Sequence, residues 1–133
     1  MERFEELKEL FSREPFAKTL GAVLETIERG HAVITMTLPE QLAIASGVAQ
    51  AGVMLSLADY AGVYAAMSVL PAGHTPASDC AGYFTRPVKV GEAMRAEARV
   101  EDRTRGCIAV RVDVTVGGRH VSGQTWKYAM PKP

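Results

Sequence analysis

The sequence predicts an α+β domain in which a curved antiparallel sheet of five or six strands wraps around one long central helix. Three observations lead there. Residues from about Ala51 to Met67 are apolar nearly all round, and a helix with so little polar surface must be enclosed. The second half of the chain alternates apolar and polar residues with the period of a half-buried strand. At 133 residues, 47% apolar and 23% charged, the chain closes one core of ordinary size, so residues 1–133 form a single domain.

The elements follow in order. Phe4, Leu7, Leu10 and Phe11 recur at helical spacing among charges, which predicts a short amphipathic helix over about 2–12, ending before Pro15. Ala22 to Glu28 and Ala32 to Leu38 read as a strand pair turned at Arg29-Gly30. Pro39 stops the second strand, and an irregular stretch through Gly47 leads to the central helix, which Pro71 and Gly73 terminate. A strand over about Ala77 to Thr85 precedes Arg86-Pro87. Met94 to Glu101 and Ile108 to Val116 each carry one dry face, and Gly117-Gly118 supplies a two-residue hairpin turn into a last strand over about His120 to Ala129.

Composition excludes several classes of function. Fifteen basic side chains balance fifteen acidic ones, so no whole-molecule field draws the chain to nucleic acid or to a membrane surface. Cys80 and Cys107 stand far apart with no Cys/His grouping, which signals neither a zinc site nor a disulfide and fits a reduced, cytoplasmic chain. His31, His74 and His120 are scattered without metal-ligand spacing and are expected at the surface. The charged first residues are not those of an export signal. Ala51 to Leu70 is long enough to span a bilayer, but Asp59 at its middle argues for a buried helix.

Gln50-Ala51-Gly52-Val53-Met54-Leu55-Ser56-Leu57-Ala58-Asp59, then Tyr83-Phe84-Thr85-Arg86-Pro87 and Gly91-Glu92, resembles the hot-dog-fold acyl-CoA thioesterases of the phenylacetyl-CoA thioesterase (PaaI) group. In that group a His-Gly-Gly opens the central helix, a Leu-Ala-Asp follows, and a strand ends in Arg-Pro before a Gly-Glu turn. The resemblance runs from about Phe16 to Tyr128. Gly52 and Asp59 match outright; the group's histidine falls on Gln50, its first motif glycine on Ala51, and its upstream asparagine on or near Ile44. The resemblance implies hydrolysis of an acyl-CoA thioester with no cofactor beyond the substrate's own CoA. The alternative is an acyl-CoA-binding or ligand-sensing domain that does not hydrolyse.

Asp59, set among Leu55, Leu57, Ala58, Ala61, Gly62 and Val63, is expensive to bury unpaired. It is either a hydrogen-bonded structural acid or, as the resemblance implies, the catalytic general base or nucleophile. The opening turn of the helix offers the N–H groups of Ala51 and Gly52 to a developing oxyanion, and Gln50 adds a side-chain amide donor. Gln50 and Asp59 lie nine residues apart on one helix, about 13 Å along its axis and half a turn around it. One chain cannot bring both to one carbonyl. The expectation is therefore a homodimer with antiparallel central helices and two composite sites, with a homotetramer of such dimers open.

Further residues are candidates for substrate contact. Tyr60 and Tyr64 share a helix face that packs or lines the acyl pocket, together with Ala65, Ala66, Met67 and the turn from Leu70 to Pro76. Ser78 and Asp79 lie on the strand beside the site. Arg86 and Arg105, chosen from Arg86, Lys89, Arg103 and Arg105 at strand ends and turns, are the expected phosphate contacts. Trp126 is expected to pack at a strand or dimer surface.

Overall fold

In the computed structural model, residues 2–130 are described. Arg3–Ser12 (α1) and Pro15–Leu20 (α2) precede strands Val23–Glu28 (β1) and His31–Thr37 (β2). A short 3-10 turn at Glu40–Leu42 leads to the central helix Ala51–Ser68 (α3), then Ala77–Phe84 (β3), Ala93–Arg103 (β4), Cys107–Val116 (β5) and Arg119–Ala129 (β6). All six strands form one sheet in the order β1-β2-β4-β5-β6-β3, and every neighbouring pair is antiparallel. The sheet curls around α3, which is the hot-dog arrangement.

The dry faces of β2, β4 and β5 fall where the alternation placed them. Ala32, Ile34, Met94, Ala96, Ala98, Ile108, Val110, Val112 and Val114 are buried against α3. The C-terminal half of α3, Ala61 to Ser68, is buried on every side, which is why it carries no polar stripe. Toward its N-terminus Gly52, Leu55, Ser56, Asp59 and Tyr60 remain half-buried, and they lie on one face. Leu57 is fully enclosed at the centre. Leu57→Ala should destabilise the fold by about 2–5 kcal/mol, read as a lower midpoint in urea unfolding without a change in slope.

The β5–β6 hairpin forms as its glycines direct. Gly117 and Gly118 adopt φ of 56° and 81°, the left-handed pair that a two-residue turn matched to strand twist needs. At the start of the chain the expectation needs correction. Pro15 ends α1 but also opens a second helix, because proline at the first helical position loses no hydrogen bond there and its fixed φ suits the turn. Glu2 is the cap of α1 rather than part of it; its carboxylate accepts the N–H groups of Phe4 and Glu5. The Arg3 guanidinium donates to the carbonyls of Met67 (3.1 Å) and Gly73 (2.7 Å), docking α1 on the far end of α3.

At the sheet edge β3 pairs, among the described residues, with β6 alone, and all eight of its residues are exposed. Tyr83 and Phe84 are 48% and 44% exposed there. Trp126, expected to pack at a strand or dimer surface, is buried along β6, stacked on Tyr128 and donating Nε1–H to Gln124 Oε1 at 2.8 Å.

Candidate active site

Asp59 sits on the half-buried face of α3. The Tyr128 hydroxyl, reaching across from β6, donates to Asp59 Oδ1 at 2.9 Å and lies 3.2 Å from its backbone carbonyl oxygen. This approach depends on Gly62: a Cβ at that position would collide with the tyrosine hydroxyl. A cavity of about 230 Å³ opens before the carboxylate. Ser56, Asp59, Tyr60 and Val63 form its helical wall; Glu14, Phe16 and the segment His74 to Ala77 complete it.

Burial pushes the Asp59 carboxyl above the usual carboxylate range, while the Tyr128 hydrogen bond and the nearby His74 pull it part of the way back. Cys80, exposed on β3, feels the same charge: partial desolvation, then Asp59 and Asp79, hold its thiol up, toward the protonated form. A half-buried carboxylate that holds a tyrosine hydrogen bond and faces a cavity is poised to take a proton or to attack. Tyr128→Phe should move the acid limb of kcat/KM to higher pH, since the lost donor had favoured the charged form. A pH profile of the variant checks the direction, and His74→Gln should shift it the same way.

The opening turn of α3 differs from expectation. Gln50 is the N-cap, and its side-chain Oε1 accepts the Gly52 N–H at 2.5 Å. Gly52 N–H is thus satisfied within the chain, and Gln50 turns its carbonyl to the helix, leaving its Nε2 amide as the donor group. The expectation of a free Gly52 N–H is corrected, because the Gln50 side chain reaches back over the turn as a capping side chain does; the Gln50 amide nitrogen is still a donor. Ala51 is exposed and lines a groove with Met54, Phe84 and Arg86.

The remaining candidates divide. Tyr60 lines the Asp59 cavity. Tyr64 does not; it is fully buried, its hydroxyl donates to Glu14 Oε2 at 3.1 Å, and its ring meets Phe11 edge-on. Ala65, Ala66 and Met67 are likewise core, whereas the end of the Leu70 to Pro76 turn reaches the cavity. Ser78 and Asp79 lie outside it: Ser78 Oγ donates to the Lys127 carbonyl at 3.2 Å beside a register shift, and Asp79 pairs with Lys127 in the ladder. Arg86 stands near the opening of α3. Arg105 is at the β4–β5 turn, so the 11-residue length of β4, roughly 35 Å, separates it from that end of the sheet.

Sequence reasoning missed Tyr128, Glu14 and His74. Tyr128 shares the alternating face of β6 with Trp126, a signal for an inward ring but not for its partner. Glu14 and His74 lie at connections, where no periodicity reports direction. His31 and His120, expected at the surface, are half-buried and paired with Glu97 (2.7 Å) and Asp113 (2.9 Å). Both cysteines are free. Among the described residues no group of His, Cys, Asp or Glu could hold a metal, and no helix is long and apolar enough to cross a membrane.

A six-stranded antiparallel sheet curled about one long helix, with a half-buried carboxylate on that helix, defines a hot-dog domain. Residues 46–122 match the thioesterase superfamily, and the chain belongs to that family. It is a thioesterase. Over 91 residues it is 34% identical to acyl-coenzyme A thioesterase PaaI of Escherichia coli K12, covering 68% of this chain and 64% of the relative. The structure of the E. coli PaaI protein from the phenylacetic acid degradation operon shares the fold, with a TM-score of 0.91 at 24% identity over 98% of this chain and 94% of that one. A mutant of phenylacetic acid degradation protein PaaI from Thermus thermophilus superposes with a TM-score of 0.81 at 25% identity, covering 88% and 100%.

Proposed function

We propose that the protein hydrolyses acyl-CoA thioesters to the free acid and CoA in a homodimer, each site joining Asp59 of one protomer to the α3 opening turn of the other. The observation that carries this reading is Asp59 itself: a carboxyl lifted by burial, held by Tyr128 and open to a cavity sized for an acyl group. The unbroken helix supports the two-chain site, because it fixes Gln50 and Asp59 about 13 Å apart. The wholly exposed edge strand β3, which borders both Asp59 and the opening turn, is the surface on which a second copy would pair.

In this site the thioester oxygen lies at the opening turn of the partner's α3, where the helix dipole and the N–H groups of Ala51 and Gly52 favour negative charge. To use the Gly52 N–H the substrate oxygen displaces Gln50 Oε1, exchanging one hydrogen bond for another at a net cost of about 1 kcal/mol or less. The freed Gln50 amide can then turn its Nε2 toward the carbonyl. Asp59 either takes a proton from a water that attacks the carbonyl, or attacks the carbonyl itself to form a mixed anhydride that a water then hydrolyses; in either route the carbon–sulfur bond breaks and the thiolate leaves with the electron pair. A single turnover in heavy-oxygen water separates the two routes: with water as the attacking group the acid carries one labelled oxygen, whereas direct attack with the anhydride opened at the Asp59 carbonyl releases unlabelled acid and leaves the label on Asp59.

The test is release of free thiol from a panel of aryl, short aliphatic and medium-chain acyl-CoAs by purified protein. Turnover of at least one class is expected. Tight binding of every acyl-CoA without thiol release would overturn the hydrolytic reading in favour of a binding domain.

A further inference from the structure

The inner face of β6 departs from the rest of the sheet. On β4 and β5 the buried residues turned toward α3 are all apolar: Met94, Ala96 and Ala98, then Ile108, Val110, Val112 and Val114. On β6 that face carries Ser122, Gln124, Trp126 and Tyr128, spaced by two and all buried. A hydroxyl and a primary amide enclosed there lose water, so each needs a partner inside the protein. An apolar row of the same shape would close the core without that demand.

The partners are one another, and the direction of every bond is fixed. Trp126 Nε1–H can only donate, so the Gln124 oxygen must face it, at 2.8 Å. The Gln124 amide nitrogen then donates to Ser122 Oγ at 2.7 Å, and the Ser122 hydroxyl donates to the Tyr83 carbonyl of β3 at 2.8 Å. Gly82, opposite Gln124 in the ladder, makes room for the amide, because a Cβ there would strike Gln124 Cγ. At the other end of the row Trp126 lies nearly parallel to Tyr128, with ring centroids 6.1 Å apart and planes 14° apart. Behind Tyr128, Ala129 N–H donates to the Pro76 carbonyl at 3.0 Å, and the Thr75 hydroxyl donates to the Ala129 carbonyl. With its backbone tied in this way, the phenol can move only by swinging about its own side-chain bonds. The indole closes that swing on one side, and Gly62 admits the hydroxyl to α3 on the other.

We propose that Trp126 and Gln124 are positioning residues for the hydrolysis: bonded to each other, they hold the Tyr128 ring where its hydroxyl meets Asp59. This role rests on the reading of Asp59 above as the reacting acid and extends it to the two residues behind its partner. A hydroxyl that swings away from Asp59 Oδ1 loses its 2.9 Å bond, since hydrogen bonds weaken steeply off geometry. That bond favours the charged carboxylate, so loosening it leaves Asp59 harder to ionise and free to turn from its working position. The other titratable groups around the site are Tyr60 on α3, Cys80 and Asp79 on β3, and His74 and Glu14 at the cavity wall. Cys80 stands opposite Trp126 in the ladder, so Cys80→Ala is the necessary control.

The experiment compares kcat, KM and pH profiles of variants on the acyl-CoA that wild type turns over fastest. Trp126→Leu removes both ring and N–H; kcat should fall about 10- to 100-fold with KM changed by no more than about twofold, and the acid limb of kcat/KM should move to higher pH. Trp126→Phe keeps a ring against Tyr128 and should recover most of that loss. Gln124→Leu should move the limb in the same direction as Trp126→Leu, and it decides the matter if Trp126→Leu does not fold. Adding Trp126→Phe to Gln124→Leu should cost nothing more, because both changes remove the same bond. The limb shift should persist in a Cys80→Ala background and disappear in a Tyr128→Phe background, where the hydroxyl to be positioned is gone. A lower urea midpoint with kcat and the limb at their wild-type values would overturn the proposal, and so would an equal limb shift in the Tyr128→Phe background. Carbon-13 NMR of the Asp59 carboxyl, assigned by its absence in Asp59→Asn, follows the titration without substrate. A midpoint raised in Gln124→Leu or Trp126→Leu upholds the positioning role even in protein that hydrolyses nothing. An unmoved midpoint in both refutes it even where thioesters are hydrolysed.

Discussion

Asp59→Asn is expected to lower kcat for thioester hydrolysis by about 10²- to 10⁴-fold, because an amide can neither accept the proton of an attacking water nor form an acyl intermediate. The substitution keeps the shape of the side chain, and the Tyr128 hydroxyl can still donate to the remaining oxygen. Stability should move the other way from activity. Burial raises the carboxyl of Asp59 in the folded state, so ionising it there is harder than in the unfolded chain. As pH rises from below the unfolded value through the raised folded one, that group takes stability away; a neutral amide does not. The variant should therefore match or exceed wild type in Tm at pH 7, with the difference shrinking toward acid. Loss of activity together with a lower Tm at neutral pH would place Asp59 among structural acids instead.

Mixing two inactive variants should regenerate activity. One carries Asp59→Asn; the other carries Gly52→Val, whose branched side chain crowds the opening turn against Gln50 Oε1. Neither homodimer holds an intact pair of Asp59 and Gly52 drawn from different chains. A mixed dimer holds one. After dissociation and reassociation, random pairing should restore about one quarter of the wild-type activity, since half of the dimers are mixed and each has one working site. The readout is thiol release as a function of mixing ratio, with a maximum at equal amounts. A flat, inactive series despite confirmed subunit exchange would show that each site is contained in a single chain.

The fold was legible because its two dominant signals are independent of detail. An 18-residue helix without a polar stripe has to be enclosed, and strands with strict alternation have to turn one face to it. Asp59 was legible for the same reason, as the one charged residue in that helix. What escaped lies where local pattern carries no direction. Pro15 reads equally well as a stop and as a first helical residue, and only the packing of Ala17 and Leu20 decides for the second. Tyr64 and Tyr60 are four residues apart on one face, yet Glu14 draws one hydroxyl inward while the other ring borders the cavity.

The position of β3 at the sheet edge bears on how the polypeptide is made. Among the described residues its one neighbour in the sheet is β6, which follows it in the chain by roughly 40 residues. At ribosomal speeds that leaves Tyr83 and Phe84 waiting several seconds with no hydrogen-bonding partner, while β4 and β5 can already close on each other. Nascent chains halted before β6 should consequently aggregate or recruit chaperones until the ladder that β3 needs has been made.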